Sequence, residues 1–441
     1  MPARKCSRSV AGAMRLLALI LTWAAAVWAA DRPSVVLIVS DDQGYADISC
    51  YPHPDEVATP HLDRIASEGA RMTSGYASCP VCAPTRAGLL TGRYQQRFGF
   101  YTASDSRAGL PVSEVTLADL LRGAGYATGV FGKWHLGFEP GFRPLKRGFE
   151  TFYGFLGHGG HDYFDLSITD EIRSIYRDHA PIEDSGYLTR NITREAVKFI
   201  EANRDEPFFA YVPYNAVHNP LQAPEDYVQR FSNPDPERNT YLAMLAVMDE
   251  GVGEILAALD RHGLASDTLV MFFSDNGGAR GTTAVNGALR GYKHSVYEGG
   301  LRVPFLLRWP GRIPAGTVSD EPVISIDAFA TILAAAGVDP PADRVIDSRD
   351  IVPALTGTEG GPLHDALYWS WIEKNSEQGW AVRTGRWKLL ADKGGPELYD
   401  LQSDLSETRN LASARPDLVK ALHASYESWR EGMAPRIRRR R

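Results

Sequence analysis

Ser34-Val35-Val36-Leu37-Ile38-Val39, closing on Ser40-Asp41-Asp42-Gln43-Gly44, is the stretch on which the architecture turns. An unbroken apolar, β-branched run that stops at small and acidic residues predicts a strand buried on both faces, as in a parallel sheet. Thr268 to Phe273 repeats the pattern and stops at Ser274-Asp275-Asn276. Thr128 to Phe131, Phe208 to Val212 and Val303 to Leu307 read as further strands. Helical patterns lie between them, at 60–68, 116–122, 193–203, 242–262 and 327–336. Strands alternating with helices predict an α/β sandwich around a large, mostly parallel sheet.

A segment rich in Gly and Pro, Gly357 to Pro362, divides the chain. Residues 31–360 read as the catalytic domain and 361–441 as a small α+β domain. The latter has antiparallel strands at 379–382 and 387–391 and a helix at 416–430. The basic run Arg436 to Arg441 reads as a solvated end. Upstream, Arg4, Lys5, Arg8 and Arg15 precede the apolar run Leu16 to Ala26 and the small residues around Ala29, so residues 1–30 read as a secretory signal. The run is short for a spanning helix, and no later stretch is apolar enough, so no stable membrane insertion is expected. A net charge of −7 gives no nucleic-acid footprint. Beyond the signal three cysteines remain, Cys50, Cys79 and Cys82; Cys50 and Cys79 could pair in an oxidising compartment or stay as two buried thiols.

Polar groups follow the strands where an open α/β sheet presents its ligand site. Asp41 and Asp42 follow one strand; Asp275 and Asn276 follow another. Either pair alone is more often a turn or a helix cap. Together, three carboxylates and an amide oxygen are hard ligands that suit calcium or magnesium. Gly132-Lys133-Trp134-His135 follows a third strand. On an extended segment Lys133 and His135 would face one side, aiming a cation and an imidazole together.

Cys82-Ala83-Pro84-Thr85-Arg86, with Leu90-Thr91-Gly92-Arg93, resembles the sulfatase signature Cys-x-Pro-Ser-Arg and Leu-Thr-Gly-Arg. Asp41-Asp42, Gly132-Lys133-Trp134-His135, His218-Asn219-Pro220, Asp275-Asn276 and Lys293 with Glu298-Gly299-Gly300 resemble the family's other motifs, in the family's order. The resemblance implies an alkaline phosphatase-like fold and hydrolysis of sulfuric esters. It further implies that Cys82 is oxidised to Cα-formylglycine by a formylglycine-generating enzyme. Calcium, with magnesium as the other choice, would then be held by Asp41, Asp42, Asp275, Asn276 and the converted residue 82. In such enzymes one hydroxyl of the hydrated aldehyde attacks sulfur, and a base breaks the resulting ester by taking the proton of the other. His135 matches that base. Lys133, Lys293, His218 and Arg86 match the groups that hold sulfate and nucleophile, with His218 or Lys293 protonating the leaving oxygen. Thr85 departs from the usual Ser; the maturation core is Cys-x-Pro-x-Arg, so tolerance is expected.

The expected substrate is a sulfated carbohydrate, with aryl sulfates as the other class, acted on in a bacterial periplasm or outside the cell rather than in a lysosome. The glycine-rich stretch Phe155 to Phe164, with His158, His161, Asp162 and Tyr163, reads either as a lining for sugar subsites or as a surface loop with satisfied histidines. Trp369 and Trp371 read as core of the small domain. The competing functions are a phosphatase or phosphonate hydrolase of the same fold, and a non-catalytic binder of sulfated glycans.

Overall fold

A computed structural model describes residues 32–437 apart from 159, 168–169, 359 and 374–375. The expected signal at 1–30 lies outside the described residues. Among the described residues, no helix is long and apolar enough to cross a membrane.

Ten strands of the described chain form the central sheet. In spatial order they are Thr317–Ser319, Ala70–Met72, Phe305–Arg308, Thr268–Ser274, Ser34–Ser40, Phe208–Pro213, Ala127–Lys133, Thr151–Phe155, Ile175–Arg177 and Ala180–Ile182. The five from Thr268–Ser274 to Thr151–Phe155 run parallel. Ser34–Ser40 is central, and side chains alternate across it. Val36 and Ile38 enter one core layer, while Val35, Leu37 and Val39 enter the other. All five are fully buried, and each contributes roughly 1.5–3 kcal/mol of burial free energy.

Helices cover both faces. The helix Pro236–Arg261 packs with Leu188–Ala202 on one side, and Asp327–Ala336 lies on the other. Leu188–Ala202 starts earlier than the apolar period suggests, because Leu188, Thr189 and Ile192 are already buried. The strand expected at 303–307 forms at Phe305–Arg308 and is antiparallel to both neighbours.

A separate antiparallel sheet joins Leu367–Glu373, Ser376–Thr384, Trp387–Asp392 and Glu397–Asp400 in sequence order. The helix Pro416–Glu431 covers it through Leu422 and Tyr426. Trp369 and Trp371 are buried, as expected of core residues, and Trp369 Nε1 donates to Ala77 O across to the larger unit at 2.8 Å. The start of the basic tail is docked, not solvated. Ile437 N–H donates to Gly99 O at 2.8 Å and Arg436 Nε to Asp105 Oδ1 at 2.7 Å. Cys50, Cys79 and Cys82 are free thiols, so the Cys50–Cys79 disulfide is not formed.

Candidate active site

Four loops leave the carboxyl ends of adjacent parallel strands and converge on the start of one helix. Ser34–Ser40 delivers Asp41 and Asp42, Thr268–Ser274 delivers Asp275 and Asn276, Ala127–Lys133 delivers Lys133 and His135, and Phe208–Pro213 leads to His218. Backbone bonds knit the loops: Asp275 N–H donates to Ser40 O at 3.1 Å, and Asp41 exchanges bonds of 2.9 Å with Ala216 and Val217. The Asn276 turn needs Gly277, where a Cβ would lie 1.9 Å from Gly299 O.

The helix Cys82–Thr91 is buried along its whole length and begins at Cys82. Val81 is extended and gives no side-chain cap, so the positive end of the helix dipole lies at residue 82. Thr85 Oγ1 donates to Cys79 O at 3.0 Å and to Val81 O at 3.2 Å, fixing the turn before the helix. A serine could make both bonds. Thr85→Ser is therefore expected to keep the start of the helix in place and to lower stability by about 1 kcal/mol, the lost buried methyl, as read from urea unfolding. A loss well above that would show that the methyl itself holds the turn before Cys82.

Cys82 Sγ and one carboxylate oxygen each from Asp41 and Asp275 lie within 4.8 Å of one another. Asp41, Asp42 and His218 form a second such group. Cations interleave with the carboxylates. Lys133 Nζ is 2.6 Å from Asp41 Oδ2, and Lys293 Nζ is 2.5 Å from Asp42 Oδ1. Arg86 donates from Nε and Nη2 to Asp275 Oδ2 at 2.9 and 2.7 Å, and from Nη1 to Lys133 O at 3.2 Å. His218 Nε2 lies 3.5 Å from Asp42 Oδ2, and its Nδ1 is 2.7 Å from Asn219 O.

Burial opposes the Asp41 charge, but Lys133, His218, Arg86 and Lys293 outweigh it and hold the carboxyl well below the usual range. Burial and the Asp41 carboxylate push Asp275 up, against Arg86 and Lys133. Burial pushes the Cys82 thiol up despite Lys133 and Lys293. Burial and Lys133 push His135 well below its ordinary value, so its imidazole is neutral near pH 7. His135 Nδ1 is buried and has no hydrogen-bond partner among the described residues.

The donor set fits a divalent cation. Asp41 Oδ1 and Asn276 Oδ1 are buried oxygens without hydrogen-bond partners among the described residues. Asn276 Nδ2 donates to Asp42 Oδ1 at 2.8 Å, which orients the amide and frees its oxygen. Buried oxygens of this kind are normally satisfied, and hard oxygens are what calcium and magnesium take. Three carboxylates face three fixed cations here, so a divalent ion would leave the cluster positive and attractive to an anion.

Two expectations change in detail. Lys133 and His135 do converge, but not by alternation along one strand. Lys133 ends the strand, whereas His135 has φ 59°. Asp42, with φ 62°, is a second non-glycine residue of the site in the left-handed region, at a cost of roughly 1–3 kcal/mol each. His161 does not line a subsite. It is fully buried, with Nδ1 2.6 Å from Asp162 O and Nε2 2.5 Å from Arg173 O. Tyr163 is likewise interior: its hydroxyl donates to Asn215 O at 2.7 Å and to His218 O at 2.9 Å. His294, read as an incidental neighbour of Lys293, has its ring 5.6 Å from that of Trp371.

One supporting group was not foreseen. Glu298 Oε1 meets Lys388 Nζ at 2.8 Å, Lys388 Nζ lies 3.0 Å from Glu407 Oε1, and Glu298 N–H donates to Glu407 Oε2 at 2.7 Å. Only the position of Glu298 in the Glu-Gly-Gly run signalled importance.

With this geometry in place, comparison with known proteins is direct. The family model described as Sulfatase matches residues 33–338, and one described as N-sulphoglucosamine sulphohydrolase, C-terminal, matches 291–431. The chain is 37% identical over 359 residues to N-acetylgalactosamine-6-sulfatase of Rattus norvegicus, a match spanning 75% of this chain and 67% of that protein. It is 33% identical to arylsulfatase A of Homo sapiens, spanning 92% of this chain and 89% of that one. Among solved structures, Ps i-CgsB in complex with k-i-k-neocarrahexaose is similar with a TM-score of 0.86 and 33% identity, covering 91% of this chain and 94% of that one. The chain therefore belongs to the sulfatase family and is a hydrolase of sulfuric esters.

Proposed function

We propose that the protein removes sulfate from sulfated carbohydrates, using formylglycine made from Cys82. Calcium, with magnesium as the alternative, would be bound by Asp41, Asp42, Asp275, Asn276 and residue 82. The observation that carries this reading is the gathering of Cys82 Sγ with carboxylate oxygens of Asp41 and Asp275 within 4.8 Å, together with buried Asp41 and Asn276 oxygens that have no hydrogen-bond partner among the described residues. The similar structure holding a carrageenan-type oligosaccharide supports the carbohydrate class.

The hydrated aldehyde would supply the attacking hydroxyl, and the cation would stabilise negative charge beside it. Lys133, Lys293 and Arg86 oppose the charge that builds on the sulfate oxygens, in a buried site where such contacts are strong. Asp275 fixes the Arg86 guanidinium through two hydrogen bonds, so that charge is aimed before substrate arrives. His218 or Lys293 protonates the oxygen of the departing alcohol. His135 would take the proton of the second hydroxyl, so that the C–O bond to sulfate breaks, sulfate leaves and the aldehyde is restored. Residues 31–360 would form the catalytic domain and 361–441 the smaller one. The chain would be exported to a periplasm or the medium after its signal is removed, with Cys82 converted by a formylglycine-generating enzyme.

The test is the mass of the tryptic peptide containing residue 82, taken from enzyme that releases sulfate. The peptide is expected to carry an aldehyde in place of the thiol. Full sulfate release by protein with an intact Cys82 thiol would sink the proposed chemistry.

A further inference from the structure

We propose that His158 touches the substrate and sets specificity: from the rim of the active site its Nε2–H donates to an oxygen of the sugar ring that bears the sulfate. This rests on the carbohydrate reading above and deepens it. The backbone of the site itself places the residue. Trp134 N–H donates to Phe155 O at 3.0 Å and His135 N–H to Leu156 O at 3.1 Å, so the segment leading to His158 is bonded directly to the segment carrying His135. Gly157 N–H donates to Ile172 O at 3.0 Å, and a Cβ on Gly157 would lie 2.2 Å from the Ile172 side chain. Held in this way, the His158 ring stands 6.3 Å from the His135 ring, centroid to centroid, at 64°.

The two rings have different surroundings. His135 is buried, whereas His158 is open to solvent. The step from one to the other thus runs from the buried cluster around Cys82 toward solvent, the side from which a sugar must present its sulfate. Gly160 N–H donates to His158 Nδ1 at 3.4 Å. Burial and the charges of Lys133, His218, Arg107 and Arg173 hold the ring below its ordinary value, so it is neutral near pH 7. A neutral imidazole whose Nδ1 accepts carries its proton on Nε2. That N–H has no hydrogen-bond partner among the described residues. His161, three positions on, is the opposite case, with both ring nitrogens taken up by carbonyl oxygens. A hydrogen bond spans only about 3 Å, so a donor one ring away from His135 meets the group joined to the sulfate and not a sugar further along a chain. A site built to bond a substrate oxygen discriminates against an ester that lacks it.

The experiment compares kcat/KM of wild type, His158→Ala and His158→Gln, each corrected for the aldehyde content of residue 82 by peptide mass. The two probes are 4-nitrophenyl sulfate, whose ring carries no oxygen beside the ester, and the sulfated sugar that wild type cleaves fastest, from a panel including N-acetylgalactosamine 6-sulfate and carrageenan oligosaccharides. The ratio of sugar ester to aryl ester should fall about tenfold in His158→Ala, equivalent to ~1.4 kcal/mol. It should fall less in His158→Gln, whose amide N–H can still donate. The proposal is overturned if His158→Ala does not lower the ratio, including the case in which both esters slow alike, the mark of a residue that acts through His135. Equal falls in the two variants would overturn the donor role. Failure of the carbohydrate sulfatase reading would look different: aldehyde-bearing wild type would hydrolyse no sulfated sugar.

Discussion

Cys82→Ser is expected to abolish turnover while leaving the fold, and to trap at most one sulfo group per enzyme. The side chain at 82 starts a buried helix whose position is set by Thr85 and by packing along its entire length. Serine therefore places its hydroxyl among the same cations. In the proposed mechanism Lys133, Lys293 and Arg86 would still hold sulfate, so attack on sulfur stays possible, though with a poorer nucleophile. What that mechanism loses is the second hydroxyl. His135 then has no proton whose removal breaks the bond between residue and sulfate, and the ester persists. The continuous rate should fall by at least about 10³-fold, equivalent to ~4 kcal/mol in barrier. Release of 4-nitrophenol should stop at or below one equivalent, and intact-protein mass should rise by one sulfo group. Sustained turnover near the wild-type rate would show that the catalytic nucleophile lies elsewhere.

The parallel core of the fold was legible because it rests on local pattern. Ser34 to Val39 and Thr268 to Phe273 are buried on both faces, and short apolar runs rich in β-branched or aromatic residues that stop at small and acidic ones suit a sheet covered on both sides. The helix Asp327–Ala336 falls where its apolar period places it. The clustering of the candidate site was legible for a related reason: its charged pairs follow the ends of adjacent parallel strands. Pairing direction was not legible at Phe305–Arg308, since an apolar strand carries no mark of the direction of its neighbours. His161 misled because a histidine in a glycine-rich loop reads as exposed, whereas two carbonyls from Asp162 and Arg173 draw it inside. The left-handed backbone of His135 carries no local signature, because even histidine, which visits that region more than most residues, does so in a small minority of cases. Contacts across long separations were the least accessible. Nothing local links Lys388 to Glu298, although 90 positions apart they share a buried hydrogen bond.

Lys388→Met is expected to destabilise the protein by about 3–5 kcal/mol, because it leaves buried carboxylates without their shared cation. Lys388, Glu298 and Glu407 have no side-chain exposure, so water cannot replace the lost ammonium. Burial opposes the Glu298 charge, but Lys388, Arg302 and Arg383 outweigh it and hold the carboxyl below its usual range, at about 2. Burial pushes Glu407 up to about 7, with Lys388 opposing and Glu298 adding to the rise. The signs differ. The Glu298 contribution is present above its unfolded value of 4.5 and is lost as pH falls toward 2. The Glu407 contribution is complete below 4.5 and is lost as pH rises through 7. Without Lys388 both carboxyls ionise less readily, so the deficit should be greatest above pH 7 and shrink on acidification. Urea unfolding across pH 5 to 8 reads this directly, and Glu407→Gln added to Lys388→Met should recover about 1–2 kcal/mol at pH 8. A loss below about 1 kcal/mol at pH 8 would mean that the cluster behaves as a surface ion pair. The consequence reaches the active site through the backbone. Glu298 begins the short helix whose Gly299 N–H donates to Arg290 O at 2.7 Å and whose Gly300 O accepts from Gly277 N–H at 3.1 Å. Those bonds back the turn carrying Asn276 and the segment carrying Lys293, so Lys388 of the smaller sheet braces a cation and a metal-ligand candidate on the larger one. Turnover of folded Lys388→Met should accordingly fall together with its stability, and recover in part with the added Glu407→Gln.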